Sequence, residues 1–312
     1  MATSNAAPVA LVLRALGLGD LLVAVPALRG LRKARPEHRI VLATPAPLVG
    51  LAELTGAVDE VLPTAAPHEL RPTWDGPPDL AVNLHGAGPQ SHHALDALRP
   101  RARIGFGGPP GWDGPTHAQV SAGHPHEREL WCTMLAHHGI PADPLDLRLD
   151  PQARAAPAVV VHPGAAFGAK RWPAERFAAV AAALEGPVPV VVTGSAEERE
   201  SAQRVAGAAG LPAERVLAGR TSIRELCDVV AGAALVVSGD TGIAHLAAAF
   251  GTPSVVLFGP AEPRRWGPPP GPHRVLTAPQ LRRGDPFADD PDPALLAVGV
   301  EEVLDAAARV RR

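Results

Sequence analysis

The fold of this chain is decided by the stretch Ala234-Leu-Val-Val-Ser-Gly-Asp-Thr-Gly-Ile-Ala-His245. Residues 234–238 are a short apolar run that predicts a buried β-strand, and residues 243–250 predict an apolar helix that begins almost directly after it. A buried strand that passes straight into a helix is typical of parallel α/β sheets. The stretch therefore predicts a parallel sheet whose faces are covered by helices.

The same alternation runs through both halves of the chain, whose 312 residues suffice for two domains. In the first half we expect strands at 9–13, 39–43, 58–62 and 79–83, and helices at 20–34, 48–55 and 127–138. In the second half we expect strands at 158–161, 188–192, 234–238 and 254–258, and helices at 174–184, 197–209, 223–231, 243–250 and 293–311. Residues 86–125, crowded with Gly, Pro and His, predict a long irregular segment, and residues 141–157 predict the connection between domains.

The overall composition is that of a globular protein, with 46% hydrophobic and 20% charged residues. A net charge of −3 without a run of Lys or Arg argues against a nucleic-acid-binding protein. No stretch reaches the ~18–20 apolar residues of a membrane helix, and no secretory signature is present, so we expect a cytoplasmic protein without stable membrane insertion. Cys132 and Cys227 lie far apart, which favours a reducing compartment and argues against structural zinc.

The histidines do not predict a metal site. The pairs at 92–93 and 137–138, and His124 with His126, lack the spacing that places metal ligands on one face of a helix. We expect His124 and His126 to begin the helix at 127–138 instead.

Asp240, Thr241 and Gly242 stand where the predicted strand ends and the helix begins. Unpaired N–H groups at a helix start bind anions, and open α/β sheets bind ligands at the carboxyl ends of their strands. Gly242 allows a ligand to approach the backbone, and His245 lies one turn further along, facing the same edge. A diphosphate carrying a sugar would fit there. The alternative is that Asp240 or Thr241 only caps the helix and that His245 only packs.

A second loop of this kind, His162-Pro-Gly-Ala-Ala-Phe-Gly-Ala-Lys170-Arg-Trp-Pro173, follows the strand predicted at 158–161. Small residues such as Gly164 and Ala165, followed by a cation, commonly meet phosphate oxygens. Lys170 would offset the negative charge that develops on a departing diphosphate. The alternative is that Lys170 is a surface cation in the turn that starts the next helix.

Gly17-Leu-Gly19-Asp20 occupies the corresponding turn in the first half of the chain. It is not a dinucleotide fingerprint, because Leu22 stands in place of the third glycine, and this argues against a dehydrogenase. Asp20 instead places a carboxylate at a helix start, where it is a candidate general base toward an acceptor hydroxyl. Helix capping is the alternative role.

Together these segments resemble glycosyltransferase family 9, the heptosyltransferases that use ADP-heptose. The resemblance rests on Gly19-Asp20 with Pro26-Ala-Leu-Arg29, His162-Pro-Gly164 with Lys170-Arg-Trp-Pro173, Gly194-Ser-Ala-Glu197, Gly239-Asp-Thr-Gly-Ile-Ala-His-Leu-Ala247 and Phe258-Gly-Pro260. The chain departs from the family at Ala165-Ala166, where hydroxyl residues are frequent, so phosphate contacts there would come from the backbone. Residues 83–125 do not look like a face for acidic lipopolysaccharide, which favours a surface glycan or a small molecule as acceptor.

The resemblance implies an α/β GT-B fold, in which two Rossmann-like domains face each other across a cleft. Residues 1–150 would bind the acceptor, residues 151–290 would bind the nucleotide sugar, and the helix in 291–312 would pack back on the N-terminal domain. The implied reaction is an inverting transfer of a sugar, heptose in this family, from an ADP-type donor to an acceptor hydroxyl. The resemblance implies neither a metal nor another cofactor.

The resemblance also implies roles for individual residues. Asp20 would be the base, and the donor would be bound by Gly164, Ala165, Lys170, Glu197, Thr221, Asp240, Thr241, Gly242 and His245. Among these, Lys170 and the backbone at Thr241-Gly242 would hold the diphosphate, and Asp240 the sugar hydroxyls. Glu197 would lie near the donor ribose, with Glu198 as a competing register, and Thr221 would contact the base.

Two other functions stay open at this point. A nucleotide-sugar epimerase of the same fold would convert the donor without any acceptor. A non-catalytic sugar-nucleotide-binding protein would need the C-terminal half but no base at Asp20.

Overall fold

The computed structural model describes residues 7–123 and 126–310, and the chain divides into two compact units between Leu147 and Arg148. This division lies inside the connection predicted at 141–157 and shortly before the boundary expected at residue 150. His124 lies outside the described residues. His126 precedes the helix Glu127–His137, and its ring accepts a hydrogen bond from the Arg128 N–H, as a residue at a helix start does.

The first unit is a five-stranded parallel sheet with the strand order β3-β2-β1-β4-β5. Its strands are β1 (Val9–Leu13), β2 (Arg39–Thr44), β3 (Glu60–Pro63), β4 (Leu80–Asn83) and β5 (Ala102–Ile104). Its helices are α1 (Leu18–Ala34), α2 (Val49–Leu54), α3 (Pro89–Asp96), α4 (His117–Gly123) and α5 (Glu127–His137). The apolar β1 pairs with β2 and β4 and is buried along its whole length, as expected for a strand covered on both faces.

The second unit is also a five-stranded parallel sheet, with the order β10-β9-β8-β6-β7. Its strands are β6 (Val159–His162), β7 (Val190–Val192), β8 (Leu235–Gly239), β9 (Ser254–Leu257) and β10 (His273–Leu276). Its helices are α6 (Ala174–Leu184), α7 (Arg199–Ala208), α8 (Ile223–Gly232), α9 (Gly242–Phe250), α10 (Pro263–Trp266), α11 (Pro293–Leu296) and α12 (Val300–Val310). No helix in the described ranges has the length and hydropathy to span a lipid bilayer.

Each sheet reverses its strand order once, between β1 and β4 in the first unit and between β8 and β6 in the second. At such a reversal, the loops that follow the two neighbouring strands run to opposite faces of the sheet. The crevice between these loops is where α/β proteins bind ligands. In the first unit these loops carry Asp20 and the residues that follow Asn83. In the second unit they carry Lys170 and Asp240. The reversal of strand order therefore places the predicted site residues of each unit at its ligand-binding edge.

The segment 86–125, expected to be irregular, contains α3, β5 and α4. Pro89 opens α3 at its first position, where the missing N–H costs no helical hydrogen bond. The three-residue β5 exists because it pairs with β4 at the edge of the sheet. Such short elements depend on their neighbours and leave little periodicity in the sequence.

The last helix, expected within residues 291–312, contributes one face to the core of the second unit. In α12, Val303, Ala306 and Ala307 are buried in the core of the second unit, where the helix packs against α6 and β9. Their spacing puts the three side chains on one helical face. The Trp172 indole N–H also donates to the Val298 carbonyl at 3.1 Å and ties the turn before α12 to the same unit.

His273, at the start of β10, is a buried titratable group. Its Nδ1 lies 2.9 Å from the Ser254 Oγ, and burial, reinforced by the Arg148 cation, lowers the pKa of His273 from 6.5 to about 4. The unfolded chain therefore takes up this proton below about pH 6.5, whereas the folded chain takes it up only near pH 4. Protonation favours the unfolded state, so this histidine makes the fold less stable as the pH falls through that window.

We expect His273→Gln to remove this part of the acid sensitivity. Between pH 7 and pH 5 the wild-type chain should lose about 1–2 kcal/mol more of its unfolding free energy than the variant loses. Urea unfolding of both proteins at the two pH values measures the difference. Equal losses would contradict the assignment, because they would mean that His273 binds its proton equally well in both states.

Candidate functional site

Lys170 and Asp240 form an ion pair at the ligand-binding edge of the second unit. The turn Gly168–Lys170 follows β6 and presents the ammonium, and Asp240 directly follows β8. The Lys170 Nζ lies 2.8 Å from Asp240 Oδ2 and 3.4 Å from the Asp240 carbonyl oxygen. The Asp240 side chain is 5% exposed and that of Lys170 is 25% exposed. Asp240 thus holds the Lys170 ammonium in place. Part of the ammonium stays exposed, where an anion could contact it.

The start of α9 lies beside this pair and has no side-chain cap. Thr241 is the residue before the helix, and its side chain makes no capping hydrogen bond, so the alternative role of Thr241 as a helix cap is not found. The Thr241 hydroxyl oxygen is buried and has no hydrogen-bond partner among the described residues. Polar groups that are buried without partners are uncommon in native proteins. The Ala244 N–H donates to the Thr241 carbonyl at 3.0 Å, so the helix start offers the amides of Gly242 and Ile243. Amides at a helix start and a nearby hydroxyl are groups that suit an anion.

His245 lies one turn into α9, as its sequence position predicts. The residue is 9% exposed, and its ring meets the Trp266 ring edge-on, with the centroids 6.1 Å apart. The structure thus shows a mostly buried histidine on the first turns of α9.

Gly164 and Glu198 are in direct contact. A side-chain carbon added to Gly164 would lie 2.2 Å from the Glu198 Cδ, so a larger residue there would displace the Glu198 carboxylate. The Ser195 backbone N–H donates to Glu198 Oε2 at 2.8 Å and fixes this carboxylate. Gly164, Ala165, Glu197 and Glu198 all line a cavity of about 370 Å³, but the Glu197 side chain is exposed to solvent.

Thr221 lies in the loop before α8, outside the lining of that cavity. Gly219 in this loop has φ +65° and approaches Ala196 so closely that an added Cβ would lie 2.8 Å from the Ala196 Cα. Its N–H donates to the Gly194 carbonyl at 3.0 Å. The loop of Thr221 therefore adjoins the loop of Glu198, and the structure brings the predicted second-unit residues into one group of neighbouring loops.

Asp20 lies in the first turn of α1, and its side chain is 37% exposed. The partner of its carboxylate is Arg14, whose Nη2 lies 3.6 Å from Asp20 Oδ1. The Arg14 Nε also donates to the Asp20 carbonyl oxygen at 3.0 Å, and the guanidinium lies over the Trp131 ring at 4.6 Å. Burial lowers the pKa of Arg14 to about 10, although Asp20 and Glu127 oppose this change. At neutral pH the buried Arg14 cation thus lies next to the partly exposed Asp20 carboxylate.

Arg14 and His85 are residues of this edge that the sequence motifs do not include. Arg14 follows the five apolar residues of β1, and His85 follows β4 by two positions. Arg14 joins the two loops, because its Nη1 donates to the Leu84 carbonyl. Burial and the Arg14 cation lower the pKa of His85, which Asp20 opposes. A charged residue at the end of a buried strand was the available signal for Arg14.

The described residues, which exclude His124 and Pro125, contain no group of three His, Cys, Asp or Glu side chains placed to hold a metal ion. The predicted histidine pairs have other surroundings. Both ring nitrogens of His92, for example, lie near backbone carbonyls, 2.9 Å from Gly88 and 3.1 Å from Phe106.

Comparison with known proteins finds a family match that includes this second-unit edge. Residues 141–281 match the sequence profile of glycosyltransferase family 9 (heptosyltransferase). This match covers somewhat less than half of the chain. The family 9 segment contains every predicted donor-site residue, from Gly164 to His245, whereas Asp20 lies outside it.

The curated relatives match over a limited length. Lipopolysaccharide heptosyltransferase 2 of Salmonella typhimurium is 38% identical over 107 residues, which are 32% of this chain and 30% of that protein. Lipopolysaccharide heptosyltransferase 1 of Pseudomonas aeruginosa is 40% identical over 110 residues, 35% of this chain and 30% of that protein. The aligned region thus spans less than a third of the length of these relatives.

Solved structures extend the likeness in fold to nearly the whole chain. The family 9 glycosyl transferase from Veillonella parvula superposes with a TM-score of 0.78 at 20% identity and covers 97% of both chains. The E. coli heptosyltransferase WaaC with ADP superposes with a TM-score of 0.67 at 20% identity, over 96% of this chain and 97% of that one. These superpositions, with two parallel-sheet α/β units, confirm the predicted GT-B fold class.

Proposed function

We propose that this protein is an inverting glycosyltransferase that moves a sugar, heptose in the first instance, from an ADP-linked donor to an acceptor hydroxyl. The observation that carries the proposal is the pairing of Lys170 with Asp240 beside the uncapped start of α9. A half-open ammonium, free helix-start amides and an unpartnered hydroxyl together suit the two phosphates of a nucleotide sugar. The match of residues 141–281 to the family 9 profile, and the ADP named with the E. coli neighbour, support this donor class.

The proposed reaction is a single displacement. The acceptor hydroxyl gives its proton to the Asp20 carboxylate while its oxygen forms a bond to the anomeric carbon of the sugar. The bond between that carbon and the diphosphate oxygen breaks from the opposite face, which inverts the anomeric configuration. The leaving nucleoside diphosphate gains negative charge, which Lys170 and the amides of Thr241 and Gly242 stabilise.

The nucleotide is further held by the remaining residues of the second unit. Asp240 accepts hydrogen bonds from sugar hydroxyls, His245 lines the sugar side, and backbone groups of Gly164 and Ala165 meet the phosphates. Thr221, on its neighbouring loop, contacts the base. At the ribose we replace Glu197 with Glu198, because Glu198 is the carboxylate fixed against Gly164 by the Ser195 N–H.

We place the reaction in the cytoplasm, as the sequence predicts. Both Cys132 and Cys227 are buried free thiols, and burial raises the pKa of each to about 12. Free thiols persist in a reducing compartment, which supports this location.

The proposal is tested by the choice of nucleotide. ADP and ADP-sugars should raise the melting temperature of the protein more than GDP, UDP or TDP counterparts, since stabilisation reaches about 2.7 kcal/mol at a ligand concentration 100 times Kd. No stabilisation by any of them would overturn the proposal. Incubation of ADP-heptose without acceptor is the second test, and an isomerised donor would identify an epimerase instead.

We expect Glu198→Gln to weaken ADP binding about tenfold and the matched control Glu197→Gln to change it less than about twofold, since a hydrogen bond to a charged group contributes roughly 1.5–3 kcal/mol. The neutral amide keeps an oxygen for the Ser195 N–H but loses the charge that a ribose hydroxyl would meet. Calorimetric titration with ADP measures both constants. A larger loss of ADP affinity in the Glu197 variant would mean that Glu197, as the sequence predicted, is the residue near the ribose.

A further inference from the structure

The first unit contains a cavity of about 600 Å³ that the donor site does not use. Its lining residues are Pro67, His68, His85, Gln90, His93 and Ala94. They come from the turn after β3, the loop after β4 and the beginning of α3. A volume of this size falls within the ~300–1,000 Å³ typical of small-molecule sites.

The cavity adjoins the surroundings of Asp20 through His85. Arg14 donates to the Leu84 carbonyl, directly before His85, and to the Asp20 carbonyl oxygen. Burial and the same Arg14 cation lower the pKa of His85, which disfavours the charged form of its imidazole. The His85 Nδ1 is buried without a hydrogen-bond partner in the described chain. His85 therefore lines the cavity and is also close enough to Asp20, the proposed base, to feel its charge.

The described lining offers polar groups without fixed charge. It contains three imidazoles and one amide, with Pro67 and Ala94 as apolar surface, and neither Lys, Arg, Asp nor Glu. The charged residues around the lining include both acidic and basic side chains. Glu69 lies 3.7 Å from the His68 ring, and the Arg71 guanidinium donates to the His68 carbonyl at 2.9 Å. Arg14 already faces Asp20.

We infer that this cavity is the acceptor subsite and that the acceptor it takes is an uncharged polyhydroxyl compound, such as a neutral glycoside. The inference rests on the proposed glycosyl transfer and names the acceptor class for it. Imidazole and amide groups donate and accept hydrogen bonds with hydroxyls, and the apolar surface suits the C–H face of a sugar ring. A phosphate or carboxylate would lose water there without gaining a cation to pair with. Gln90 and His93, on the first turns of α3, are the specificity-determining residues.

The test uses the full-length chain saturated with ADP. Saturation-transfer NMR and titration compare the methyl glycosides of glucose, galactose and mannose with the 6-phosphate of each. We expect at least one neutral glycoside to bind, at least tenfold more tightly than its own phosphate. Binding of none of the three, or tighter binding of the phosphates, would overturn the inference. Failure of ADP itself to bind would instead overturn the proposed function, so the two failures are distinguishable.

Variants of Gln90 locate the binding in this cavity. Gln90→Ala should raise the Kd of the preferred glycoside at least fivefold, and Gln90→Arg should shift the preference toward its 6-phosphate, with ADP affinity unchanged in both. Gln152→Ala, at an exposed glutamine of the second unit, is the matched control and should change neither constant. Unchanged glycoside binding in both Gln90 variants would place the acceptor elsewhere.

Discussion

Replacing Asp20 by asparagine is expected to abolish sugar transfer in practice, with a loss of about 10²–10⁴ in kcat, while ADP affinity stays within about twofold. The amide has nearly the shape of the carboxylate but cannot take the acceptor proton. ADP affinity is preserved because the proposed nucleotide contacts all come from the second unit, whereas Asp20 belongs to the first. Initial rates with ADP-heptose and an acceptor, together with ADP titration, measure the two effects.

Two controls accompany this variant. Asp113→Asn removes an exposed carboxylate of the same unit and should leave the rate within about twofold of wild type. Urea unfolding of Asp20→Asn shows whether Arg14, which loses its charged partner at 3.6 Å, disturbs the fold. If the folded variant retained more than a tenth of the wild-type rate, Asp20 would not be the base.

The second large effect is expected from Lys170→Met. Removing the ammonium from the leaving diphosphate should lower the transfer rate by about 10²–10³, as the loss of one electrostatic donor commonly does. It also leaves the Asp240 carboxylate, 5% exposed, without its partner at 2.8 Å. Breaking a buried ion pair from one side is destabilising, and with Lys170 partly open to water we expect a cost of up to about 3 kcal/mol. Kinetics and urea unfolding measure the two losses separately.

The double variant Lys170→Met with Asp240→Asn separates the two roles of the pair. Neutralising Asp240 removes the unpaired buried charge, so the double variant should regain most of the lost stability. It should not regain the transfer rate, because the cation that faces the diphosphate is still absent and the sugar has lost a carboxylate contact. Recovery of the rate in the double variant would mean that Lys170 acts only as a counterion of Asp240.

The sequence predicted the elements whose signal is local and strong. β1 is an uninterrupted apolar run, β8 begins with three apolar residues, and α9 follows β8 through the sequence Asp240-Thr241. The short edge strands β5 and β10, with sequences Ala-Arg-Ile and His-Arg-Val-Leu, were not predicted. An edge strand gains its hydrogen bonds from a single neighbour and needs little apolar sequence of its own.

The sequence alone thus determined the alternation of strands and helices, the family-type motifs, and the placement of Asp20, Lys170 and Asp240 after strands, because these depend on residues close together in the chain. Only the tertiary structure decided that Glu198 rather than Glu197 touches Gly164 and that a buried Arg14 stands behind Asp20. The same holds for α12, whose apolar face was visible but whose partner was not. These features depend on contacts between segments that lie far apart in the sequence, and neither periodicity nor residue type records which segments meet.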